Sequence, residues 1–388
     1  MKKYYSVILI GSLLLLSVFV PNLFAKDLCT ITINGVIGPP VAGFIKESIE
    51  KCSTKGGEAL LILLDTPGGL DTSMRDIIKN IMDSSVPVIV YVYPPGARAA
   101  SAGAIILLSS HIAAMAPGTN VGAAHPVTIG KEKVEKEVIK KAVQDAEAYA
   151  RSIAMKKGRN VEWAAKAVRE SSSITAKDAL EKRVIDVMAD NVDDLLAKID
   201  GKTVDVRGTR VALKTKSAPR VDMEMPMKYR FLSYITDPNV AYILMMMGIY
   251  GILFEIYSPG AIFPGVIGGI SIILALYAFQ AIPISFAGLA LIFLGVVFFI
   301  LEVKIISHGL LGIAGVISIV IGSIMLIDLP SSILSISWKA ILAVAIVSAI
   351  FIFGVLSYAV RAQLSKVKTG MEGLIGETGF ARTAVFDK

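Results

Sequence analysis

The sequence predicts an α/β domain that is followed by a helical membrane domain with several spans. Short apolar strands alternate with helical segments over residues 26–225, a pattern typical of a mainly parallel sheet. Residues 238–361 are almost continuously apolar, in stretches near the ~20 residues that a spanning helix needs. The whole chain of 388 residues is 54% hydrophobic, which is too apolar for an ordinary soluble protein.

The N-terminus carries a targeting signal or an anchor. Lys2 and Lys3 precede an uncharged apolar run over 6–20, which is the arrangement of a secretory signal peptide with a cleavage position after Ala25. Leu23 is a poor residue at the −3 position of such a site. Residues 1–25 are therefore either a cleaved signal peptide or an uncleaved anchor, and in both cases the domain that follows is exported.

The exported domain begins with strands and helices in alternation. The apolar patterns predict strands at 31–36, 59–64 and 86–93, and helices at 39–52, 72–84 and 133–157. Both cysteines of the chain, Cys29 and Cys52, fall in this segment. A disulfide is chemically permitted outside the cytoplasm; two buried free thiols are the alternative.

Five apolar stretches predict the membrane spans. They lie at 241–257, 261–281, 284–301, 309–327 and 338–360. With a translocated N-terminus, five spans place the tail at 362–388 in the cytoplasm. Arg361, Lys366 and Lys368 follow the last span, in agreement with the positive-inside tendency. Four or six spans fit the pattern nearly as well.

The net charge of +7 does not indicate a nucleic-acid partner. Lysines are spread over the exported domain, and no aromatic residues are interleaved with them in the way that base stacking requires. No spacing of His, Cys or carboxylates resembles a metal site, and no glycine-rich nucleotide loop is present. We therefore expect no cofactor and no dependence on ATP.

Ser101 is the residue to which the predicted chemistry points. It lies among small residues, in Ala99-Ala100-Ser101-Ala102-Gly103, and the Gly68-Gly69 pair follows the strand predicted at 59–64. Acyl transfer needs a hydroxyl nucleophile close to backbone N–H groups that can bind an oxyanion. Both segments follow predicted strands of one sheet, where sites of such folds are found. A close contact between helices, made through the small residues, is the alternative interpretation.

A serine nucleophile needs a base, and the sequence offers two kinds. His125 lies in a predicted loop that borders the site. A lysine base must be neutral, which requires an apolar surround. Lys141 borders the apolar stripe of the helix predicted at 133–157, three residues after Val138.

Several motifs together resemble the NfeD-type membrane-bound serine proteases, which are the partner proteases of stomatin-like proteins and belong to the ClpP and signal-peptide-peptidase-A class. The motifs include Asp65-Thr66-Pro67-Gly68-Gly69, the segment 88–103, Met115-Ala116-Pro117-Gly118-Thr119, the segment 141–154, Gly158-Arg159-Asn160 and Gly373-Leu374-Ile375-Gly376-Glu377. They agree in order and spacing, and the resemblance covers nearly the whole chain.

The resemblance implies a ClpP-type, crotonase-like fold for the domain at 26–225, with Ser101 as nucleophile and Lys141 as general base. The amides of Gly68 or Gly69 and of Ala102 would form the oxyanion hole. It also implies a membrane-tethered serine endopeptidase outside the cytoplasm that forms a homodimer or larger homo-oligomer. Its substrate would be a hydrophobic segment of a stomatin- or prohibitin-like membrane protein.

The chain departs from the family pattern in two ways. Long members end in a small OB-fold domain, whereas this sequence stops at Lys388, after what resembles that domain's first strand at 379–386. The ClpP branch uses a Ser-His-Asp triad, for which His125 and Asp186 are the alternative to Lys141. Two other functions stay open: a non-catalytic scaffold for a stomatin-like partner, and an acyl-CoA enzyme on the crotonase fold.

Overall fold

The computed structural model describes residues 26–126, 136–257, 260, 262–282, 284–305, 307, 309–327 and 336–364. The predicted signal or anchor at 1–25, the first residues of the helix predicted at 133–157 and most of the predicted tail lie outside them. The chain divides between residues 236 and 237 into two compact units.

The first unit alternates strands and helices as predicted. Its strands are β1 (Leu28–Asn34), β2 (Ala59–Asp65), β3 (Val88–Val92), β4 (Arg98–Ala100), β5 (Ile112–Met115), β6 (Asn120–Gly122), β7 (Ser173–Thr175), β8 (Val187–Met188), β9 (Thr203–Val206), β10 (Thr209–Ala212) and β11 (Arg220–Asp222). Its helices are α1 (Pro39–Thr54), α2 (Asp71–Met82), α3 (Ala102–Ser109), α4 (Lys136–Lys156), α5 (Val161–Arg169), α6 (Ala176–Glu181), α7 (Val192–Ile199) and α8 (Met227–Ile235).

The main sheet is parallel and has six strands in the order β11-β1-β2-β3-β5-β8. All five residues of β3 are buried, because apolar residues cover the sheet on both sides. Ile62 and Val90 join one core with Phe44 and Ile106, while alternate strand residues such as Tyr91 join a second core. Strands that are covered on both faces read as continuous apolar runs, so the predicted α/β class is confirmed.

A disulfide joins β1 to α1 through the two cysteines of the chain. The Cα atoms of Cys29 and Cys52 are 6.0 Å apart, and both residues are buried. Of the two states that the sequence left open, this structure has the disulfide.

A small second sheet was not predicted from the sequence. Its order is β4-β6-β7, with β4 parallel to β6 and β6 antiparallel to β7. Each of these strands has three residues, which is too short for a periodic pattern. A bridge between Thr66 and Ala99 connects the end of β2 with β4, and so brings the Gly68-Gly69 loop to the segment that contains Ser101.

The second unit contains the helices α9 (Pro238–Tyr257), α10 (Ile262–Ala281), α11 (Phe286–Lys304), α12 (Leu310–Leu326) and α13 (Trp338–Leu364). Each of the five predicted apolar stretches is a helix. Among the described residues, Pro238–Tyr257 and Ile262–Gln280 are long and apolar enough to cross a membrane, and the apolar parts of the other three are shorter.

Helices α9 and α10 approach each other closely through glycines. A Cβ atom on Gly251 would lie 2.5 Å from the carbonyl oxygen of Pro264, and one on Gly268 would lie 2.9 Å from that of Gly248. Such close backbone contacts between small residues are typical of helices that pack within a bilayer, where dispersion contacts stabilise the pair.

Candidate active site

Ser101 lies on a sharp turn from strand β4 into helix α3. Its φ of +51° and ψ of −115° are rarely adopted by a residue with a side chain, and such a conformation costs about 1–3 kcal/mol. Hydrogen bonds hold the turn: the Ser101 N–H donates to the carbonyl of Gly122, and its own carbonyl accepts from the N–H of Ala104, each at 3.0 Å. A strained strand-to-helix turn is typical of nucleophilic serines because it presents the hydroxyl at the end of the helix.

The Gly68-Gly69 loop lies directly against Ser101. A Cβ atom on Gly68 would be 2.7 Å from the Cβ of Ser101 and 3.3 Å from its Oγ. Gly68 has a φ of +117°, and the buried Thr66 holds it: the Gly68 N–H donates to the Thr66 hydroxyl at 3.0 Å, and that hydroxyl is 3.1 Å from the Gly68 carbonyl oxygen. The loop therefore fits against the serine only as glycine.

The backbone amides of Gly69 and Ala102, which lie next to Ser101, have no protein acceptor in the described part of the chain. The Gly68 carbonyl accepts from Ile37 at 2.8 Å and the Leu70 N–H donates to Ile37 at 2.9 Å. Because backbone groups alternate along an extended segment, the Gly69 N–H between them faces away from Ile37. The sequence left Gly68 and Gly69 as alternatives, and the Gly68 amide is already bonded to Thr66.

Lys141 lies on α4, the helix that packs against α3, but it is exposed. Val138, one turn earlier, has 50% of its surface exposed. No hydrogen bond joins the Lys141 ammonium to Ser101 among the residues that the structure describes. The apolar surround that a neutral lysine requires is thus not formed by the described residues of a single chain.

Arg75 ties the helix of Lys141 to the helix that follows the glycine loop. Its guanidinium pairs with Asp145 of α4 at 2.6 Å and with Asp71 of α2 at 2.8 Å, and it lies 4.4 Å from the centre of the Tyr149 ring. Asp145 follows Lys141 by one helical turn. Arg75 therefore links α4, which carries Lys141, to α2, which follows the Gly68-Gly69 loop.

The alternative pair, His125 and Asp186, is not joined in the structure. The Nδ1 of His125 lies 2.8 Å from the carbonyl oxygen of Val168. The Asp186 carboxylate instead accepts from Arg159 at 2.6 Å and from the Ala113 N–H at 2.7 Å. A triad needs the carboxylate on the histidine ring, so this arrangement does not support one.

Arg159 is a buried anchor whose role sequence reasoning missed. Besides Asp186, its guanidinium donates to the carbonyls of Leu108 and Ser110 at 2.5 and 2.9 Å. These carbonyls end α3, so Arg159 secures the C-terminal end of the helix whose N-terminal end carries Ser101. The only signal in the sequence is the Gly158-Arg159-Asn160 motif.

His111 also follows the far end of α3 and is not a base for Ser101. Burial, together with the nearby charges of Lys157 and Arg159, lowers the pKa of His111 to about 3. Its neutral Nδ1 accepts the N–H of Val88 at 3.1 Å. An eight-residue helix is about 12 Å long, which separates this ring from the serine.

Comparison with known proteins agrees with this architecture. Models of the NfeD1b N-terminal domain and of the NfeD integral membrane domain match residues 28–209 and 239–358. Membrane-bound protease PH1510 of Pyrococcus horikoshii is 39% identical over 333 residues, which are 83% of this chain and 75% of the relative. The chain belongs to the NfeD family.

Two further relatives of this NfeD chain were found. Membrane protein NfeD1b of Bacillus subtilis is 26% identical over 337 residues, covering 81% of this chain and 70% of the relative. A solved structure of the 1510-N membrane-bound stomatin-specific protease, a lysine-to-alanine mutant in complex with a substrate peptide, has 35% identity and a TM-score of 0.51. It covers 55% of this chain and the whole of the solved one.

These similarities confirm the predicted family and fold class. This NfeD chain is a membrane protein and a peptidase. The family assignment favours the peptidase over the acyl-CoA enzyme and over the non-catalytic scaffold that the sequence left open.

Proposed function

We propose that this NfeD protein is an ATP-independent serine endopeptidase in which Ser101 is the nucleophile and Lys141 the general base. The observation that carries this proposal is the strained turn at Ser101, with the free amides of Gly69 and Ala102 beside it. A strained serine, an adjacent glycine loop and unpaired amides are the groups that acyl transfer uses, and the strain of the turn lowers stability.

The proposed reaction uses these groups in two stages. Lys141 takes the proton of the Ser101 hydroxyl while Oγ attacks the carbonyl carbon of the scissile peptide bond. The amides of Gly69 and Ala102 donate to the oxyanion, and the N-terminal end of α3 adds a favourable dipole. The departing amine takes the proton from the lysine, and water then releases the acyl group from Ser101.

A cover over α4 is part of this proposal, because Lys141 is exposed in the single chain. An apolar substrate segment, or a second protomer of a homodimer or larger oligomer, would lie over Val138 and exclude water from the amine. Such a cover favours the neutral form of a lysine. The solved relative that holds a substrate peptide has a lysine replaced by alanine, which supports a lysine in the machinery.

The proposed substrate is a hydrophobic segment of a stomatin-like membrane protein. The support is the 1510-N protease, which is described as stomatin-specific and shares 35% identity with this chain. A site that becomes active when an apolar segment covers its lysine would select such substrates without a deep specificity pocket.

We further propose that the domain at 26–225 lies outside the cytoplasm, that the region at 238–361 spans the cell membrane five times, and that the tail is cytoplasmic. The disulfide between Cys29 and Cys52 supports this sidedness, because disulfides persist in oxidising compartments. An alkaline phosphatase fusion after Lys182 should be active in cells, and an inactive, stable fusion would contradict the proposed sidedness.

Peptide cleavage by the full chain in detergent tests the catalytic roles. Ser101→Ala and Lys141→Ala should each lower kcat by about a thousandfold or more, whereas Lys140→Ala, its exposed neighbour on α4, should keep the parent rate. Full activity of Ser101→Ala would exclude this nucleophile. Full activity of Lys141→Ala together with an inactive His125→Ala would assign the base to the histidine.

A further inference from the structure

Helix α8 presents an apolar face to solvent immediately before the membrane domain. Met227, Phe231 and Tyr234 have 73%, 53% and 66% of their surface exposed. Their spacing of four and three residues places them on one face of the helix. Exposed apolar side chains are ordinary when they are single, but a contiguous patch of large ones marks an interaction surface.

The opposite face of α8 is fixed to the first unit. The Tyr229 ring lies 6.3 Å from that of Phe44 and so close to Gly43 that a Cβ there would be 2.7 Å from it. Lys228 pairs with Glu47 of α1 at 2.6 Å. The exposed face therefore belongs to a helix that is already seated, rather than to a detached segment.

The chain itself limits how far α8 can lie from the membrane. Helix α8 ends at Ile235 and α9 begins at Pro238, three residues later, so the two Cα atoms are at most about 11 Å apart. Helix α9 is the first apolar helix of the NfeD integral membrane domain. The headgroup region on each side of a bilayer is roughly 5–8 Å thick, so the end of α8 lies within reach of it.

We propose that α8 is an interfacial helix whose exposed face enters the surface of the lipid bilayer and seats the peptidase unit on the membrane. Phe231 and Met227 supply the apolar contact, and Tyr234 has the ring and hydroxyl that favour the membrane–water boundary. The basic residues of α8 have carboxylates nearby: Glu47 at Lys228, and Glu224 at 3.6 Å from Arg230. Binding thus depends on apolar burial more than on anionic lipid.

Helix α8 is also linked, through α1, to the Gly68-Gly69 loop. Helix α8 packs against α1, and α1 begins two residues after Ile37, the residue that holds Gly68 and Leu70. A unit fixed to the bilayer through α8 and α1 receives its substrates at the membrane surface. This consequence rests on the proposed function, whereas the seating itself does not.

Depth-dependent quenching tests the seating. Single cysteines are introduced by Phe231→Cys, Tyr234→Cys and the control Lys79→Cys, an exposed position on α2. Each variant of the full chain keeps its native disulfide, is labelled with nitrobenzoxadiazole and is placed in nanodiscs. A doxyl-labelled phosphatidylcholine with a shallow quencher should lower the emission of the first two about twofold or more relative to the control. Adding phosphatidylglycerol to the phosphatidylcholine should change this little.

Quenching at 231 and 234 no greater than at the control would overturn the proposal. A blue shift of the label's emission that depends on protein concentration and not on lipid would also overturn it. Such a shift would mean that a second copy of the chain covers the exposed face of α8. Quenching that requires phosphatidylglycerol would contradict the apolar mode of binding.

A comparison of peptide cleavage rates separates the proposed membrane contact from the proposed catalysis. The double variant Phe231→Asp and Tyr234→Asp should cleave a soluble apolar peptide at the parent rate, and the same sequence anchored in a vesicle about tenfold more slowly. An equal loss on both substrates, or a loss on neither, would contradict the membrane seat. An inactive parent chain on the soluble peptide would instead reject the proposed function and leave the quenching result standing.

Discussion

Substitution of Gly68 by alanine is the perturbation that the site geometry predicts most sharply. Gly68 has a φ of +117°, and an added Cβ would lie 2.7 Å from the Cβ of Ser101. Ordinary contacts to a Cβ begin at 3.4 Å, so the two residues must separate by roughly 0.7 Å. Since Ser101 is held by the backbone of Gly122 and Ala104, this movement displaces the hydroxyl of the proposed nucleophile from the amide of Gly69.

The expected effect is large on kcat and moderate on stability. A displacement near 1 Å at a reacting group costs about a hundredfold in rate. The unfavourable φ adds about 1–3 kcal/mol of destabilisation. Gly35 provides a matched control, because its φ is +120° and no heavy atom lies within 4 Å of the Cβ it would carry.

Steady-state cleavage of a soluble apolar peptide by the full chain, with thermal unfolding in parallel, measures both effects. Gly35→Ala should lose the stability that the unfavourable φ costs and Gly68→Ala at least as much, while only Gly68→Ala should lose about a hundredfold in kcat. Parent-like kcat in Gly68→Ala, or an equal loss in Gly35→Ala, would refute the reasoning.

Three further predictions follow from contacts elsewhere in the first unit. Arg75→Ala should lower kcat about tenfold by releasing α4, while the free energy of unfolding should change by only about 1 kcal/mol or less, as expected for a partly exposed pair. Asp145→Asn should have the same effects, and a full rate in both variants would show that the pair does not position the proposed base. The pKa of His111 is lowered to about 3, so between about pH 6.5 and 3 the unfolded state binds the proton that the folded state does not, and stability falls as the pH drops. Urea unfolding across this range should show a shallower fall in His111→Asn, which keeps an acceptor for the Val88 N–H, and an unchanged profile would contradict the burial of a neutral ring. Reduction of the bond between Cys29 and Cys52 should lower the unfolding free energy by about 3 kcal/mol in a chain-entropy estimate, and an unchanged Tm in reductant would show that the bond does not stabilise the fold.

The apolar core elements were predictable because burial leaves a strong pattern in the sequence. The strand predicted at 59–64 is β2 (Ala59–Asp65), and the helix predicted at 39–52 is α1 (Pro39–Thr54). The first strand was displaced: it was predicted at 31–36 and is Leu28–Asn34, since Leu28 and Cys29 are buried although the more polar residues after them weaken the pattern.

The geometry around Ser101 could be predicted only in part. The small residues and the glycine pair were visible, but the positive φ of Ser101 results from its hydrogen bonds with Gly122 and Ala104, and the first of these is long-range. The same holds for Arg75 and Asp145, which are 70 positions apart in the sequence. Periodicity describes one helix at a time and does not record what its faces contact.

The stripe of α4 shows the same limit. Val138 and Ala150 are both apolar members of the predicted stripe, yet Ala150 is buried and Val138 is half exposed. The pattern correctly identified the helix, which extends over Lys136–Lys156. It gave no information on where the core ends, and Lys141 lies beyond that point.

Covalent trapping of the nucleophile tests the central claim most directly. The full chain is treated with a fluorophosphonate, and the modified residue and its rate of labelling are determined by mass spectrometry. We predict that the label resides on Ser101, is absent from Ser101→Ala, and forms much more slowly in Lys141→Ala than in Lys140→Ala. Labelling that persists in Ser101→Ala, or that resides on a different serine of the active chain, would contradict the assignment of the nucleophile.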